Sequence, residues 1–497
     1  MSSAARGRRC PGFWGFDQLS PAAMLLPLVF GTWAAAIAVA PGLAAKVALS
    51  APALLLLLTW FTVSQPRRWL LAFLGAALLL PPLPIPIGDS GPHPSLLFAA
   101  LGLFAGVIWL GSWRLSLAGI GAPLLALFGV LLASVALAAI NSGMEVAAGS
   151  LARVALFGIS VYVFFYAAYG PGSVLAARKP RPQSGGRESS GAANEGTSAE
   201  LRTLYYIAVG AALFACVDFY YQFPAPAGYG PQFVWLDTGV FRRAQGLFYE
   251  ASTLGNFCAF FLVMVAVALS RPPSESPVPR TALVAGAGVL FAALVLSYSR
   301  ASLLNILIAC AVLVWRNRRR LRFARIAPLL AVLAGAAAFL TWQVFPTFAE
   351  MYWLRLSNTA EYAFTATEGI LSGRVASWRI LVDWISAHPW QSLIGIGYKT
   401  LPYSDYLGSA VVADNMYLSL LVETGIAGLA ALVWLNVAIL RSAWRASRSA
   451  RPAASFCGTW MLCFWAGQVV QMFSGDLLTY WRVLPVYFFV LAAAVRV

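Results

Sequence analysis

The chain has 497 residues, 60% of them apolar and 10% charged, with a net charge of +16. Soluble domains carry about 45–50% apolar and about 25% charged residues, so these figures exclude an ordinary soluble enzyme, a disordered chain and a disulfide scaffold. A helical span needs roughly 20 apolar residues, and a mean hydropathy of +0.76 points to a polytopic membrane protein.

Apolar runs fall at about 22–40, 47–64, 69–87, 95–111, 115–140, 151–169, 201–222, 250–270, 281–299, 301–315, 326–345, 416–440, 456–473 and 481–496. Backbone exposed to lipid must satisfy its own hydrogen bonds, so each run is read as a helix. The first has no convincing small-residue cleavage site and is read as a retained span. Pro81, Pro82, Pro84 and Pro86 make the end of the third irregular. A tight turn at Ser299-Arg300 separates the ninth from the short tenth. The expected fold is all-α, a polytopic membrane helical bundle of about 12–14 transmembrane helices. Its parts are a cytoplasmic tail over 1–21, spans over 22–169, a disordered Gly/Pro/Ser-rich cytoplasmic loop over 170–200, spans over 201–345, a large outer loop over 346–415 and spans over 416–497.

With the N-terminus placed inside, 24 of the 34 Lys and Arg but only 5 of the 18 acidic residues fall in inside segments. Cytoplasmic Lys/Arg excess orients membrane bundles in this way. The basic charge is therefore a topology signal, and no nucleic-acid partner is expected. No cysteine pair has C-x-x-C spacing, and the two histidines are His93 and His388; neither a metal nor a cofactor is expected. No phosphate-binding G-x-x-x-x-G-K-[ST] run is present, which argues against ATP-driven transport by this chain.

The outer side holds loops at about 223–249 and 346–415. Within the second, residues 372–385 read as an amphipathic helix with Trp378, Leu381, Val382 and Ile385 on one face, ended by Pro389. Arg242 and Arg243 lie at the entrance to the eighth span, and Arg300 lies between the ninth and tenth. An intramembrane arginine costs about 2.5–3.5 kcal/mol on insertion scales, so Arg300 either snorkels to the interface or serves a polar cavity. Arg243 is either an interfacial anchor or the second cation of that cavity. Two fixed guanidinium groups at one face suit a lipid diphosphate, with Arg242 beside them. Asp414 and Asn415 open the twelfth span, where either side chain suits an N-cap. Asn415, Ser419 and Glu423 step by four along one helix face, a polar stripe expected to face the bundle interior. Glu423 is read either as a structural hydrogen-bonding group or as a residue near substrate. His388 is read as a loop cap or as a base, Asp218 as a polar packing contact, and His93 is expected to do no chemistry.

Arg243-Ala-Gln-Gly246-Leu-Phe248, Ser297-Tyr-Ser299-Arg300, Ser372-Gly373-Arg374 with Trp378, His388-Pro389 with Gly395-Ile-Gly397, and Asp414-Asn415 with Glu423-Thr-Gly425 follow in this order across roughly 241–430. The set resembles the bacterial O-antigen ligase and O-antigen polymerase superfamily. The resemblance implies a GT-C-like bundle in the inner membrane, with its active face and large loop periplasmic. It also implies a glycosyltransferase whose donor is an undecaprenyl-diphosphate-linked oligosaccharide and whose acceptor is a glycan or lipid, among membrane lipids. Arg243 and Arg300 match the family's diphosphate-holding arginines. Ligases of the family carry His-Asn where this chain has Asp414-Asn415, and the Asp looks more like a polysaccharide polymerase.

The leaving diphosphate needs charge stabilisation, which Arg243 and Arg300 supply without a metal. The attacking hydroxyl needs a base, assigned to Asp414 with His388 second. Arg374, Asn415 and Glu423 are assigned to substrate binding. The expected function is polymerisation of repeat units of a surface polysaccharide. The alternatives are a ligase moving finished glycan to lipid A-core or another acceptor, and a transporter or flippase of lipid-linked sugars. A flippase would place charges deep in several spans around a midplane site, whereas here they cluster at one face.

Overall fold

The computed structural model describes residues 32–33, 35–64, 66–83, 92–170, 189–224, 229–236, 239–318, 342–343, 349–350, 353–354, 357, 374–403 and 411–495. Most of the runs at 326–345 and 22–40 lie outside them, as do residues 171–188 and most of 346–373. Contacts divide the chain into two units, 1–64 and 65–497. In the first, helix α1 spans Gly42–Ser64, and the Trp33 indole donates to the Leu49 carbonyl at 2.9 Å.

The second unit is mostly helical. Its elements are α2 (Pro66–Leu79), α3 (Ser95–Ile108), α4 (Gly121–Ser142), α5 (Met144–Tyr169), α6 (Ser189–Tyr221), α7 (Ala251–Leu269), α8 (Arg280–Leu296), α9 (Arg300–Asn317), α10 (Arg374–Ala387), α11 (Pro389–Ile394), α12 (Met416–Ala446), α13 (Pro452–Gln471) and α14 (Leu484–Val495). Seven described helices are long and apolar enough to cross a membrane, and five shorter apolar helices accompany them. The chain is a multi-pass membrane protein. Exposed Leu132, Ile140, Leu307 and Val433 on the spans would be a liability in water and suit lipid.

Three local outcomes differ from the sequence reading. Helix α6 begins at Ser189, inside the stretch read as a disordered loop over 170–200. The loop before α7 holds an antiparallel ribbon, β1 (Phe233–Leu236) and β2 (Gly239–Arg242), in register Phe233↔Arg242; its aromatic and β-branched residues favour the pleated form. In α10, Leu381 and Trp384 are buried and Ile385 packs beside them, whereas Val382 is exposed, so Trp384 and not Val382 completes the expected apolar face. As expected from its prolines, α2 stops at Leu79.

The site-bearing helices are α7, α9, α12 and α13. Helix α13 packs on α7, α9, α12 and α14, and α7 on α9. Buried amides lock this group together. The Asn256 side chain on α7 donates to Gln468 Oε1 at 2.6 Å and Gln471 Oε1 at 2.8 Å on α13, and Tyr487 on α14 donates to Asn256 Oδ1. The Trp465 indole donates to Asn436 Oδ1 on α12 at 3.0 Å. Interhelical bonds of this kind in lipid average only about 0.6 kcal/mol, so their larger effect is to fix which helix faces meet.

Candidate functional site

The first arginine is placed by a helix end. Helix α8 stops at Leu296 and leaves carbonyls without intrahelical donors. The Ala244 amide donates to the Leu296 carbonyl at 2.9 Å, and Arg243 Nε donates to the Ser297 carbonyl at 2.9 Å. Tyr298, at φ +52°, then reverses the chain, so that Ser299 caps α9 and Arg300 is its first residue. A cation at a helix N-terminus opposes the helix dipole, which makes its presence there a cost to folding. Arg243 follows β2, and its amide continues the ladder by donating to the Gln232 carbonyl at 2.8 Å, so it and Arg242 point to opposite sides. Arg242 accordingly turns away from Arg243, and its Nη2 lies 3.9 Å from Asp218 Oδ2.

The second contribution comes from the outer loop. Trp378 on α10 donates its indole N–H to the Ala413 carbonyl at 2.7 Å. Arg374, the first residue of α10, donates from Nε to Asp414 Oδ2 at 3.0 Å and from Nη1 to the Ser474 carbonyl at 2.9 Å. Asp414 adopts φ +43°, a left-handed conformation that short polar side chains tolerate. Asn415 is the N-cap of α12, its Oδ1 accepting from the amides of Tyr417 at 3.1 Å and Leu418 at 3.2 Å. Asn415, Ser419 and Glu423 are all buried, so the stripe faces the interior.

These groups share one electrostatic neighbourhood. The Arg243 guanidinium is held below its ordinary pKa by burial and by the nearby cations Arg374 and Arg300, against the opposing pull of Tyr480 and Glu250. Burial pushes the Glu250 carboxyl up, and Asp414 and Asp476 push the same way, while its bond from Thr253 Oγ1 (2.6 Å) and Arg243 oppose. Burial likewise raises the Tyr480 hydroxyl, with Glu250, Asp476 and Asp414 adding to it. Arg243 thus has Arg300, Arg374 and Glu250 as charged neighbours, and Glu250 has Asp414 and Asp476, at the end of the bundle that holds the N-termini of α7, α9 and α12. Helix N-termini and guanidinium groups both favour anions.

A second layer supports the loop. Gly425, at φ +70° and ψ −168°, breaks α12. The break leaves the carbonyls of Val422 and Glu423 to accept from the amides of Ile396 at 3.1 Å and Gly397 at 2.8 Å. No side chain fits here: a Cβ on Gly425 would lie 2.2 Å from the Leu393 carbonyl oxygen, and one on Gly395 2.5 Å from that of Glu423. Leu381, Trp384, Ile396, Leu401, Val411, Ala413 and Val422 form a small apolar core beneath the loop. Beside it, Lys399 pairs with Asp476. Burial works against the ammonium, but Asp476 and Glu423 outweigh it and hold its pKa up.

The structure thus brings together Arg243, Arg300, Arg374 and Asp414, and sets Asn415 directly beside them as a cap. Glu423 lies one layer in, with Oε2 unpartnered among the described residues. Arg242 is drawn off to Asp218. His388 precedes α11 without a side-chain cap bond to it, and its ring stacks on Trp384 at 5.1 Å. It follows α10, whose 14 residues span roughly 21 Å from Arg374, so His388 stands about a helix length from Asp414. The sequence reading missed Glu250, Tyr480 and the Lys399–Asp476 pair. For Glu250 a signal existed, a carboxylate directly before an apolar run at the same face as Arg243. His93 is buried: Nε2 donates to the Leu80 carbonyl at 2.9 Å, and burial followed by Arg482 pushes its pKa down to about 4. Among the described residues no three His, Cys, Asp or Glu side chains gather as a metal site.

No curated protein matches the chain. A family model described as O-antigen ligase matches residues 285–433, from within α8 through the first half of α12. That stretch contains Arg300, Arg374, Asp414 and the broken helix; Arg243 and Glu250 precede it. The chain is therefore a multi-pass membrane protein whose residues 285–433 match the O-antigen ligase family model.

Proposed function

We propose that the protein is a glycosyltransferase of the bacterial inner membrane that takes glycan from an undecaprenyl-diphosphate carrier at the periplasmic face and polymerises repeat units of a surface polysaccharide. The observation that carries this reading is that Arg243 has Arg300, Arg374 and Glu250 as neighbours, and Arg374 pairs with Asp414, at one end of the bundle. Arg243 and Arg300 hold the diphosphate oxygens and stabilise the charge that develops on them, with no metal required. The acceptor hydroxyl attacks the anomeric carbon as the bond from that carbon to the diphosphate breaks. The diphosphate leaves with the electron pair, and the hydroxyl proton passes to a carboxylate. Asp414, oriented by Arg374, is that base. Glu250, the buried carboxyl beside Arg243, is a second acceptor within the same cluster. Asn415 and Glu423 shape the acceptor side, and α10 covers it against water.

The ligase reading is favoured by the description of the matching family; the Asp in place of His before Asn415 favours polymerisation. Deletion of the protein separates them on a gel. A lost ladder with single repeats retained supports polymerase, and accumulated lipid-linked polymer supports ligase. Purified protein given lipid-linked oligosaccharide and no nucleotide tests the enzymatic reading itself, since a flippase yields no new glycosidic bond.

A further inference from the structure

The same four helices build a second charged site at their other ends. Helices α7 and α9 start beside the arginine cluster and finish at Ser270-Arg271 and at Trp315–Arg318, whereas α13 runs the opposite way from Pro452. With 19 and 18 residues, α7 and α9 extend roughly 27–28 Å, close to the hydrocarbon thickness of a bilayer. The two sites therefore belong to opposite membrane faces.

Between these far ends lies a cavity of about 710 Å³ whose lining includes Arg271, Arg316, Arg318 and Arg448 against one acidic residue, Glu275. Arg271 is already engaged. It pairs with Glu275 at 3.5 Å and donates to the Ser455 carbonyl at 2.9 Å and Thr459 Oγ1 at 2.9 Å. The other three guanidinium groups have no carboxylate partner among the described residues. Trp444 fixes two of them, since Arg448 lies 4.2 Å and Arg316 5.7 Å from its ring, and Trp315 stacks on it at 5.5 Å. Arg316 Nε is buried and has no acceptor among the described residues. A buried donor of this kind is normally paired, and here an acceptor entering the cavity meets it together with the two other cations. Ser449 adds a hydroxyl to the lining.

We propose that this cavity binds a phosphate group, carried either by the headgroup of an anionic lipid in the leaflet on that side or by a free phosphate or diphosphate. Guanidinium forks match phosphate oxygens, and basic pockets between helices at a membrane face take phosphate headgroups. The exposed indole of Trp315 at its edge supplies the interfacial surface that a lipid's glycerol and upper chain would meet.

The test is a binding titration of the full-length protein in nonionic detergent with three probes: phosphatidylglycerol mixed micelles, phosphatidylcholine mixed micelles, and inorganic pyrophosphate. Tighter binding of phosphatidylglycerol than phosphatidylcholine, weakened at least tenfold in the Arg316→Gln/Arg448→Gln double variant and unchanged in Arg445→Gln on the same helix end, supports the site with a lipid source. Pyrophosphate binding with the same variant pattern supports it with a free-anion source. Equal affinity of the double variant for its best probe, or binding no stronger for phosphatidylglycerol and pyrophosphate than for phosphatidylcholine, overturns it. Should the double variant not fold, Arg448→Gln alone, at an exposed position, applies the same criterion with a loss of at least threefold.

Discussion

Arg374 Nε lies 3.0 Å from Asp414 Oδ2 while its Nη1 reaches the Ser474 carbonyl at 2.9 Å, so one guanidinium joins the start of α10 to the start of α12 and the end of α13. The pair is partly exposed, and ion pairs of that kind contribute at most about 1 kcal/mol. Its role is to set the position of a carboxylate. Asp414→Asn keeps the shape and removes the base, and should lower glycosyl transfer by about 10²-fold or more while thermal stability stays within a few degrees. Polymer ladders and melting curves on the same preparation check this, and full transfer by the variant moves the base elsewhere.

Arg300 stands at the N-terminus of α9, where its charge opposes the helix dipole. Arg300→Ala should lower chain growth by roughly 10²–10³-fold for a lost oxyanion-type donor, with normal membrane insertion. A normal ladder from this variant refutes the diphosphate assignment.

The raised pKa of Glu250 gives a pH signature. The neutral form is the one that burial favours, so its ionisation is unfavourable once the pH rises through the folded-state value. Glu250→Gln should therefore stabilise the protein more at pH 8 than at pH 4.5, because the cost of ionising the buried carboxyl grows as the pH rises. Melting temperatures of both proteins at the two values read this directly; a difference independent of pH places Glu250 in ordinary solvent.

Lys399 and Asp476 are both largely buried, and removing one partner of such a pair costs about 3–5 kcal/mol. Lys399→Met should lower the melting temperature by several degrees, and Lys399→Met/Asp476→Leu should recover part of that loss. An additive loss in the double variant shows that the two groups do not act as a pair.

Gly425→Ala meets a carbonyl oxygen and a left-handed φ at once. The conformational part alone is about 1–2 kcal/mol, and the clash adds to it, so α11 must move off α12. Limited proteolysis between residues 395 and 415 should accelerate in this variant, and an unchanged rate excludes the break in α12 as the anchor of the loop.

Much of this architecture is local and was legible for that reason. Apolar runs mark α2 to α9, Asn415 is a cap because its side chain reaches only two or three residues onward, and the prolines after Leu79 end α2. The Arg243–Arg300 association could be read from charges at one membrane face. What escaped depends on distant partners. Nothing near Gly395 announces that its turn fills a break at Gly425, thirty residues later, and nothing near Glu250 announces Asp414. Arg242 and Arg243 look equivalent as neighbours, but strand alternation sends them to different partners. On α10 the periodicity points to Leu381 and Ile385 correctly, but Trp384 and not Val382 meets the core.

The buried amide cluster has a consequence for biogenesis. Asn256 leaves the ribosome 212 residues before its partner Gln468, an interval of about 10–40 s at bacterial or eukaryotic synthesis rates. During that time α7 must rest in the insertion machinery or the lipid with an unsated polar group, and only the arrival of α13 lets it settle. Completion of the bundle is thus a late event in translation, set by the last two hairpins and not by the order in which the segments enter the membrane.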